Sequence, residues 1–218
     1  MFVRLLSILF LAPIAIGAIW MGGWSFSLLV AVGGLLAVWE WCQMCSVKQN
    51  GGRFLVCLIV GSAYIAIPCA LLVWMRNDPE SGRIFVFWFF CVIWATDIGA
   101  YLFGKTIGGP KLAPRISPNK TWAGLIGGIV SAMLVSWALI IWHGDQTALL
   151  EVILFGAILA ITGQIGDLIE SWAKRYFKVK DSGAIIPGHG GILDRVDAIL
   201  LAAPVATGIR IIFGIGTF

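Results

Sequence analysis

Charged residues are scarce in this chain of 218 residues: they make up 12% of it, whereas about 25% is usual in soluble domains. Apolar residues make up 60%, and the mean hydropathy is +0.96. A polar surface cannot be built from 15 basic and 11 acidic side chains, so the composition excludes a water-soluble globule, and it equally excludes a disordered chain. The apolar runs are too long for barrel strands. The sequence therefore predicts a polytopic helical membrane protein, whose backbone groups are paired within helices.

About 20 apolar residues cross a hydrocarbon core roughly 30 Å thick, and seven stretches are long enough to do so. They are residues 2–20, 25–45, 54–75, 84–103, 121–142, 148–168 and 192–213. The predicted fold is all-α, a single integral membrane domain over residues 1–218. We expect residues 1–83 to form packing and lipid-facing helices, and residues 84–218 to form the catalytic part with cytoplasmic loops 104–120 and 169–191.

The basic residues are distributed unequally between the two faces that seven alternating spans would create. Only Arg76, Arg83 and Arg210 fall on one face, and the other 12 of the 15 fall on the face that carries the N-terminus. Because short cytoplasmic loops carry an excess of Lys and Arg, the N-terminus is predicted to be cytoplasmic.

The first cytoplasmic region whose residues could bind a substrate lies between Gly104 and Thr121. It contains four basic residues and no acidic one. Glycines free backbone N–H groups to turn toward an anion, and Lys120 directly precedes a helix, whose N-terminus favours negative charge. The region fits a phosphate cradle, or alternatively a basic loop touching lipid headgroups. It lacks the G-x-x-x-x-G-K-[ST] spacing of a P-loop.

The second region holds three carboxylates, and two of them, Asp194 and Asp197, share one face at the start of a helix. Asp167 ends the preceding span at a similar depth. Carboxylate oxygens suit Mg²⁺, which is usually held by one or two carboxylates together with substrate phosphates. Basic residues surround them: Lys174, Arg175, Lys178, Lys180 and Arg195. This combination indicates phosphoryl or nucleotidyl transfer, in which catalysis is mostly positioning and charge neutralisation.

The motifs in these two regions resemble the signature of the phosphatidate cytidylyltransferases, or CDP-diacylglycerol synthases. The matching segments are Ser171-x-x-Lys174-Arg175-x4-Lys180-Asp181, His189-Gly190-Gly191-x-x-Asp194-Arg195-x-Asp197, Asp97-x-Gly-Ala-Tyr, Lys111-Leu-Ala-Pro and Ser117-Pro-x-Lys120-Thr-Trp. The resemblance covers about the C-terminal 125 residues. It implies synthesis of CDP-diacylglycerol and pyrophosphate from CTP and phosphatidate by a multi-pass protein of the cell's inner membrane.

The resemblance also implies roles for individual residues. Mg²⁺ is expected on Asp167, Asp194 and Asp197, with a second cation left open. The expected catalytic set is Asp167, Lys174, Arg175, Asp194, Arg195 and Asp197, and the expected substrate-binding set is Asp97, Lys111, Ser117, Lys120, Lys180 and His189. His189 fits either a phosphate contact or a turn without a role. The expected partners are the two substrates and membrane lipid, without nucleic acid, and the resemblance suggests a homodimer.

Alternatives stay open for several features. Cys42 and Cys45 form a C-x-x-C pair, but they lie in an apolar stretch without a second pair, which favours packing over redox or zinc chemistry. Glu40 is expected to reach from a helix end to water. The CDP-alcohol phosphotransferases are another class of membrane enzyme with clustered aspartates, but their aspartate pattern is missing from this sequence, which argues against that class. Another phosphorylated lipid acceptor, or a transporter, remains as a rival reading, although a transporter should place its acidic residues near the bilayer midplane.

Overall fold

A computed structural model describes residues 2–48, 51–144, 148–183, 185 and 190–214. Over these residues the chain forms seven helices and one small hairpin. The helices are α1 (Phe2–Met21), α2 (Gly23–Lys48), α3 (Gly52–Arg76), α4 (Gly82–Thr106), α5 (Trp122–His143), α6 (Leu149–Phe177) and α7 (Leu193–Phe213); the strands are β1 (Lys111–Ala113) and β2 (Ser117–Thr121). The predicted helical bundle is confirmed.

The helices match the requirements of a bilayer. Six of them, α2 to α7, contain segments of 21 to 29 residues that are long and apolar enough to span a membrane, and α1 adds a shorter apolar segment, Ala12–Met21. Large apolar side chains on the outer surface, such as Leu35, Val60 and Ile126, are more than half exposed. Because such side chains are unfavourable in water, this surface is one that lipid covers, and the expectation of about seven spans is consistent with it.

The predicted loop 169–191 begins too early. Helix α6 continues to Phe177 and has 29 residues, which at about 1.5 Å per residue makes it roughly 43 Å long. Ala173 and Phe177 remain buried against neighbouring helices, and Lys174 pairs with Glu170 one turn earlier, so apolar packing and an ion pair both extend the helix. The loop starts at Lys178, whose φ of 60° ends the helix in a left-handed conformation.

The other predicted loop, 104–120, contains a hairpin that the sequence did not reveal. Its two strands are antiparallel, with Lys111 opposite Thr121 and Ala113 opposite Ser117. Thr121 ends the hairpin and caps α5, because its side-chain oxygen accepts a hydrogen bond of 3.1 Å from the backbone N–H of Gly124. The hairpin thereby holds Lys120 next to the N-terminus of α5.

Small residues allow the helices that carry the site to approach closely. A Cβ atom on Gly128 would lie 2.9 Å from the backbone oxygen of Thr96, and one on Gly166 would lie 2.6 Å from that of Asp197. Both distances are shorter than side-chain contacts allow, so α4 packs against α5, and α6 against α7, through backbone surfaces. As a result, the carboxylates of α4, α6 and α7 come together at one end of the bundle.

Candidate active site

Three carboxylates from three helices form the centre of the site, and we call Asp97, Asp167 and Asp197 the carboxylate cluster. The carboxyl group of Asp197 interacts electrostatically with Asp167, with Glu170 and more weakly with Asp97, and that of Asp97 interacts with Asp167. Asp97 lies in α4, Asp167 in α6 and Asp197 in α7. Since like charges close together repel one another, the cluster creates a local demand for positive charge.

Lys120 supplies part of that positive charge. Its Nζ atom lies 2.6 Å from Oδ2 of Asp167 and donates a hydrogen bond of 3.0 Å to Oε1 of Gln164. Ser171 donates a hydrogen bond of 3.3 Å to the other oxygen of Asp167. Gln164, Asp167 and Ser171 recur at intervals of three and four residues and therefore lie on one face of α6. The hairpin and α6 together fix the Lys120 ammonium beside the carboxylate cluster.

A second set of charges lies on the last turns of α6 and at the start of α7, and we call Lys174, Glu170 and Asp194 the Lys174 network. Nζ of Lys174 is 2.5 Å from Oε2 of Glu170 and 2.6 Å from Oδ1 of Asp194. Oδ2 of Asp194 accepts hydrogen bonds from the backbone N–H of Ser182 at 3.1 Å, from its hydroxyl at 3.0 Å, and from the backbone N–H of Gly191 at 2.9 Å. Asp194 therefore ties the loop after α6 to the start of α7.

Most of the remaining site residues expected from the sequence are exposed to solvent. Arg175 is exposed, and its Nε donates a hydrogen bond of 3.3 Å to the backbone oxygen of Ile116, next to the hairpin turn. Arg195 is exposed and interacts electrostatically with Asp97. Lys111 and Lys180 are also exposed, and Ser117 is half-buried in β2. His189 lies outside the described residues. Arg175 thus contacts the hairpin, and Arg195 lies near the carboxylate cluster.

The donor set is suited to a cation that is shared with a substrate. Within the described ranges, no group of three or more His, Cys, Asp or Glu side chains is arranged so that it could hold a metal ion by itself. Mg²⁺ seldom uses such all-protein cages, because it retains waters and binds substrate phosphates. Asp167 and Asp197 supply carboxylate oxygens of the kind that Mg²⁺ prefers, and one or two carboxylates are enough when substrate phosphates complete the coordination, so the residues present fit this ion. Asp194 is more fully engaged in hydrogen bonds than they are.

Glu170 and Glu40 lie next to the site, although neither was expected from the sequence to be a site residue. Glu170 has a local signal, because it precedes Lys174 by four residues on an apolar helix. Glu40 has no local signal in the sequence that would indicate its position, and the expectation that it reaches water is wrong. Its side chain is completely buried, and it contacts Ser182, Ile192 and Leu193, which lie more than 140 residues later in the chain.

The sequence is similar to known proteins over most of its length. The sequence matches the model of the cytidylyltransferase family over residues 2–76 and 53–213. It is 40% identical over 218 residues to a protein of Rickettsia typhi named phosphatidate cytidylyltransferase, a match that covers 96% of this chain and 92% of that protein. Proteins with the same name from Brucella suis and Rickettsia prowazekii are 35% and 44% identical, over 92% and 83% of this chain and 89% and 78% of their own lengths. The family match spans nearly the whole chain, so this membrane protein belongs to the cytidylyltransferase family and is a nucleotidyltransferase.

Proposed function

We propose that the protein is a Mg²⁺-dependent CTP:phosphatidate cytidylyltransferase that acts at the cytoplasmic interface of the inner membrane. The observation that supports this most directly is the meeting of the carboxylate cluster with Lys120 and Arg195 at one end of membrane-spanning helices. Relatives that match over most of their length carry the name of this activity. The substrates supply the two groups that such a site would join, a nucleoside triphosphate from water and a phosphomonoester from the bilayer.

In the proposed reaction, a phosphate oxygen of phosphatidate attacks the α-phosphorus of CTP. A new phosphorus–oxygen bond forms, the bond between the α-phosphorus and the bridging oxygen breaks, and pyrophosphate leaves with that electron pair. The attacking oxygen is already anionic near pH 7, so no strong general base is needed. The main barrier is the repulsion between two anionic substrates, which preorganised positive charge lowers.

The chain's own residues would divide this task. Lys120 and Arg195 neutralise phosphate oxygens beside the carboxylate cluster, and Arg175, Lys111, Ser117 and Lys180 contact the triphosphate. Lys174 holds Asp194 in place. Mg²⁺, when bound, would neutralise and polarise phosphoryl oxygens. Asp167, Asp197 and Asp194 would hold it. The oxygen that Asp194 would offer is Oδ1, which also contacts the Lys174 ammonium.

The proposal includes several further expectations. They are the second cation, the homodimer, the absence of a nucleic-acid partner and the role of His189. A different phosphorylated lipid as the acceptor is the nearest alternative to phosphatidate, since both present the same phosphomonoester to the site.

The proposal is tested with purified protein in detergent, given labelled CTP, phosphatidate and Mg²⁺. We expect a CDP-lipid and pyrophosphate in equal amounts, and no product when a chelator removes the metal. Asp167→Asn should lower the rate about a hundredfold, since removing one group that stabilises transition-state charge has effects of this size. Glu151→Gln is the matched control, because Glu151 is exposed at the other end of the same helix. Product formation only with other phosphorylated lipids would change the acceptor, and no product with any of them would refute the assignment.

A further inference from the structure

Glu40 is an acidic side chain with no exposed surface in a helix that otherwise packs through apolar residues. It lies in α2, and its relative exposure is 0%. Burying a carboxylate in a bundle is strongly unfavourable unless hydrogen-bond donors compensate for the lost water. Its surroundings must therefore supply donors, and they identify what the residue does.

The donors come from the start of α7. The backbone N–H of Ile192 donates to Oε1 at 3.0 Å and that of Leu193 donates to Oε2 at 2.9 Å. The first N–H groups of a helix have no partner within that helix, and its N-terminus carries a partial positive charge. Ile192, at the cap position, makes no side-chain capping bond. Glu40 thus caps α7 from a different helix.

The Glu40 carboxylate also contacts the loop after α6, which donates hydrogen bonds to Asp194. The Ser182 hydroxyl lies 3.1 Å from Oε2 of Glu40 and 3.0 Å from Oδ2 of Asp194. A hydroxyl has a single proton, so it donates to one of these oxygens at a time. Ser182 therefore lies in contact with both the buried Glu40 and Asp194, a proposed ligand of the metal, and its hydroxyl can donate to either.

The loop backbone is fitted around Glu40. A Cβ atom on Gly183 or on Gly191 would overlap the Glu40 carboxylate. Gly191 is also the residue whose N–H binds Asp194. Consequently, the position of the Glu40 side chain determines how closely this backbone can approach, and with it the position of Asp194.

We propose that Glu40 is a positioning residue of the active site: it fixes the start of α7 and the Ser182 hydroxyl so that Asp194 and Asp197 face the substrates in the productive geometry. This inference rests on the proposed transferase activity. Asp194 is the second residue of α7 and Asp197 follows one turn later, so any shift of the capped helix end moves both carboxylates.

The test compares Glu40→Gln and Ser182→Ala with the unaltered protein. Glutamine keeps the shape but points an NH₂ group at backbone N–H donors. We expect kcat of Glu40→Gln to fall about tenfold or more, and the Mg²⁺ concentration for half-maximal activity to rise by a similar factor, as supporting groups behind metal ligands typically do. The KM for phosphatidate should not change. Glu80→Gln is the control, since Glu80 is exposed at the opposite end of the bundle.

A second readout does not depend on activity. Hydrogen–deuterium exchange, measured without substrate or metal, should be faster at the amides of Ile192 and Leu193 in Glu40→Gln and unchanged in Glu80→Gln. The double variant Glu40→Gln/Ser182→Ala should lose less than the product of the two single effects, because both act through the same contacts.

The outcomes separate this inference from the proposed function. If the unaltered protein makes no CDP-lipid, the proposed function fails, whatever Glu40 does. If it is active and folded Glu40→Gln retains kcat, its Mg²⁺ dependence and slow amide exchange, the positioning role is refuted. A loss of activity that only matches a loss of folded protein also refutes it, because a purely structural residue would behave in that way.

Discussion

Lys174 allows a sharp test of the electrostatics, because one ammonium serves two buried carboxylates. Its side chain is 14% exposed, and those of Glu170 and Asp194 are 5% and 10% exposed. The Lys174 ammonium is the one cationic group in contact with Glu170 among the described residues, and this ion pair compensates the charge of the Glu170 carboxylate. Lys174→Met removes that compensation from both acids at once.

Removing one partner of a buried ion pair typically destabilises a protein by about 3–5 kcal/mol, since it leaves an uncompensated charge. The slight exposure of Lys174 favours the lower end, so we expect about 3 kcal/mol. Asp194 keeps donors on Ser182 and Gly191, whereas the other group close to Glu170 is the Asp194 carboxyl group, so most of the loss should come from Glu170. Lys174→Met/Glu170→Gln should therefore recover more than half of the lost stability while transferase activity stays low.

The assay is reversible unfolding in mixed micelles, followed by circular dichroism as the fraction of denaturing detergent increases. Lys178→Met is the matched control, because Lys178 is exposed at the end of the same helix; its loss should stay below about 1 kcal/mol. Unfolding of Lys174→Met at the same detergent fraction as the unaltered protein would refute the reasoning. So would a double variant that is less stable than Lys174→Met.

Two further predictions concern local structure. Thr121→Ala removes the cap on Gly124 and should destabilise the protein by about 1 kcal/mol, whereas Thr121→Ser should not; equal unfolding midpoints for the two variants would contradict this. The backbone N–H of Ser81, with help from the Arg210 guanidinium, lowers the pKa of Asp78, which lies in the loop outside the spans. A carboxyl group with a lowered pKa stabilises the folded state at any pH above its usual pKa near 4, and this stabilisation is lost as the pH falls through the lowered pKa. The stability advantage of the unaltered protein over Asp78→Asn should therefore disappear in acid. An advantage that is independent of pH would exclude this explanation.

Composition and hydropathy were sufficient to predict the membrane bundle and the approximate spans, because lipid demands long apolar helices whatever their neighbours are. The signature motifs were sufficient to predict the family. The end of α6 was misjudged, since the charged residues after Asp167 resemble a loop in sequence. Only Glu170 beside Lys174 and the burial of Phe177 in the folded bundle explain why the helix continues.

The sequence by itself determined the class of protein, the family, and which carboxylates and basic residues are candidates for chemistry, because these depend on residue type and spacing along the chain. Only the tertiary structure decided how they are grouped. It joins Asp97 to Asp167 and Asp197, and it places Glu40 against Leu193, 153 residues away. The hydrogen bonds of a buried carboxylate are satisfied by whatever backbone the fold brings beside it, and no local pattern records that partner.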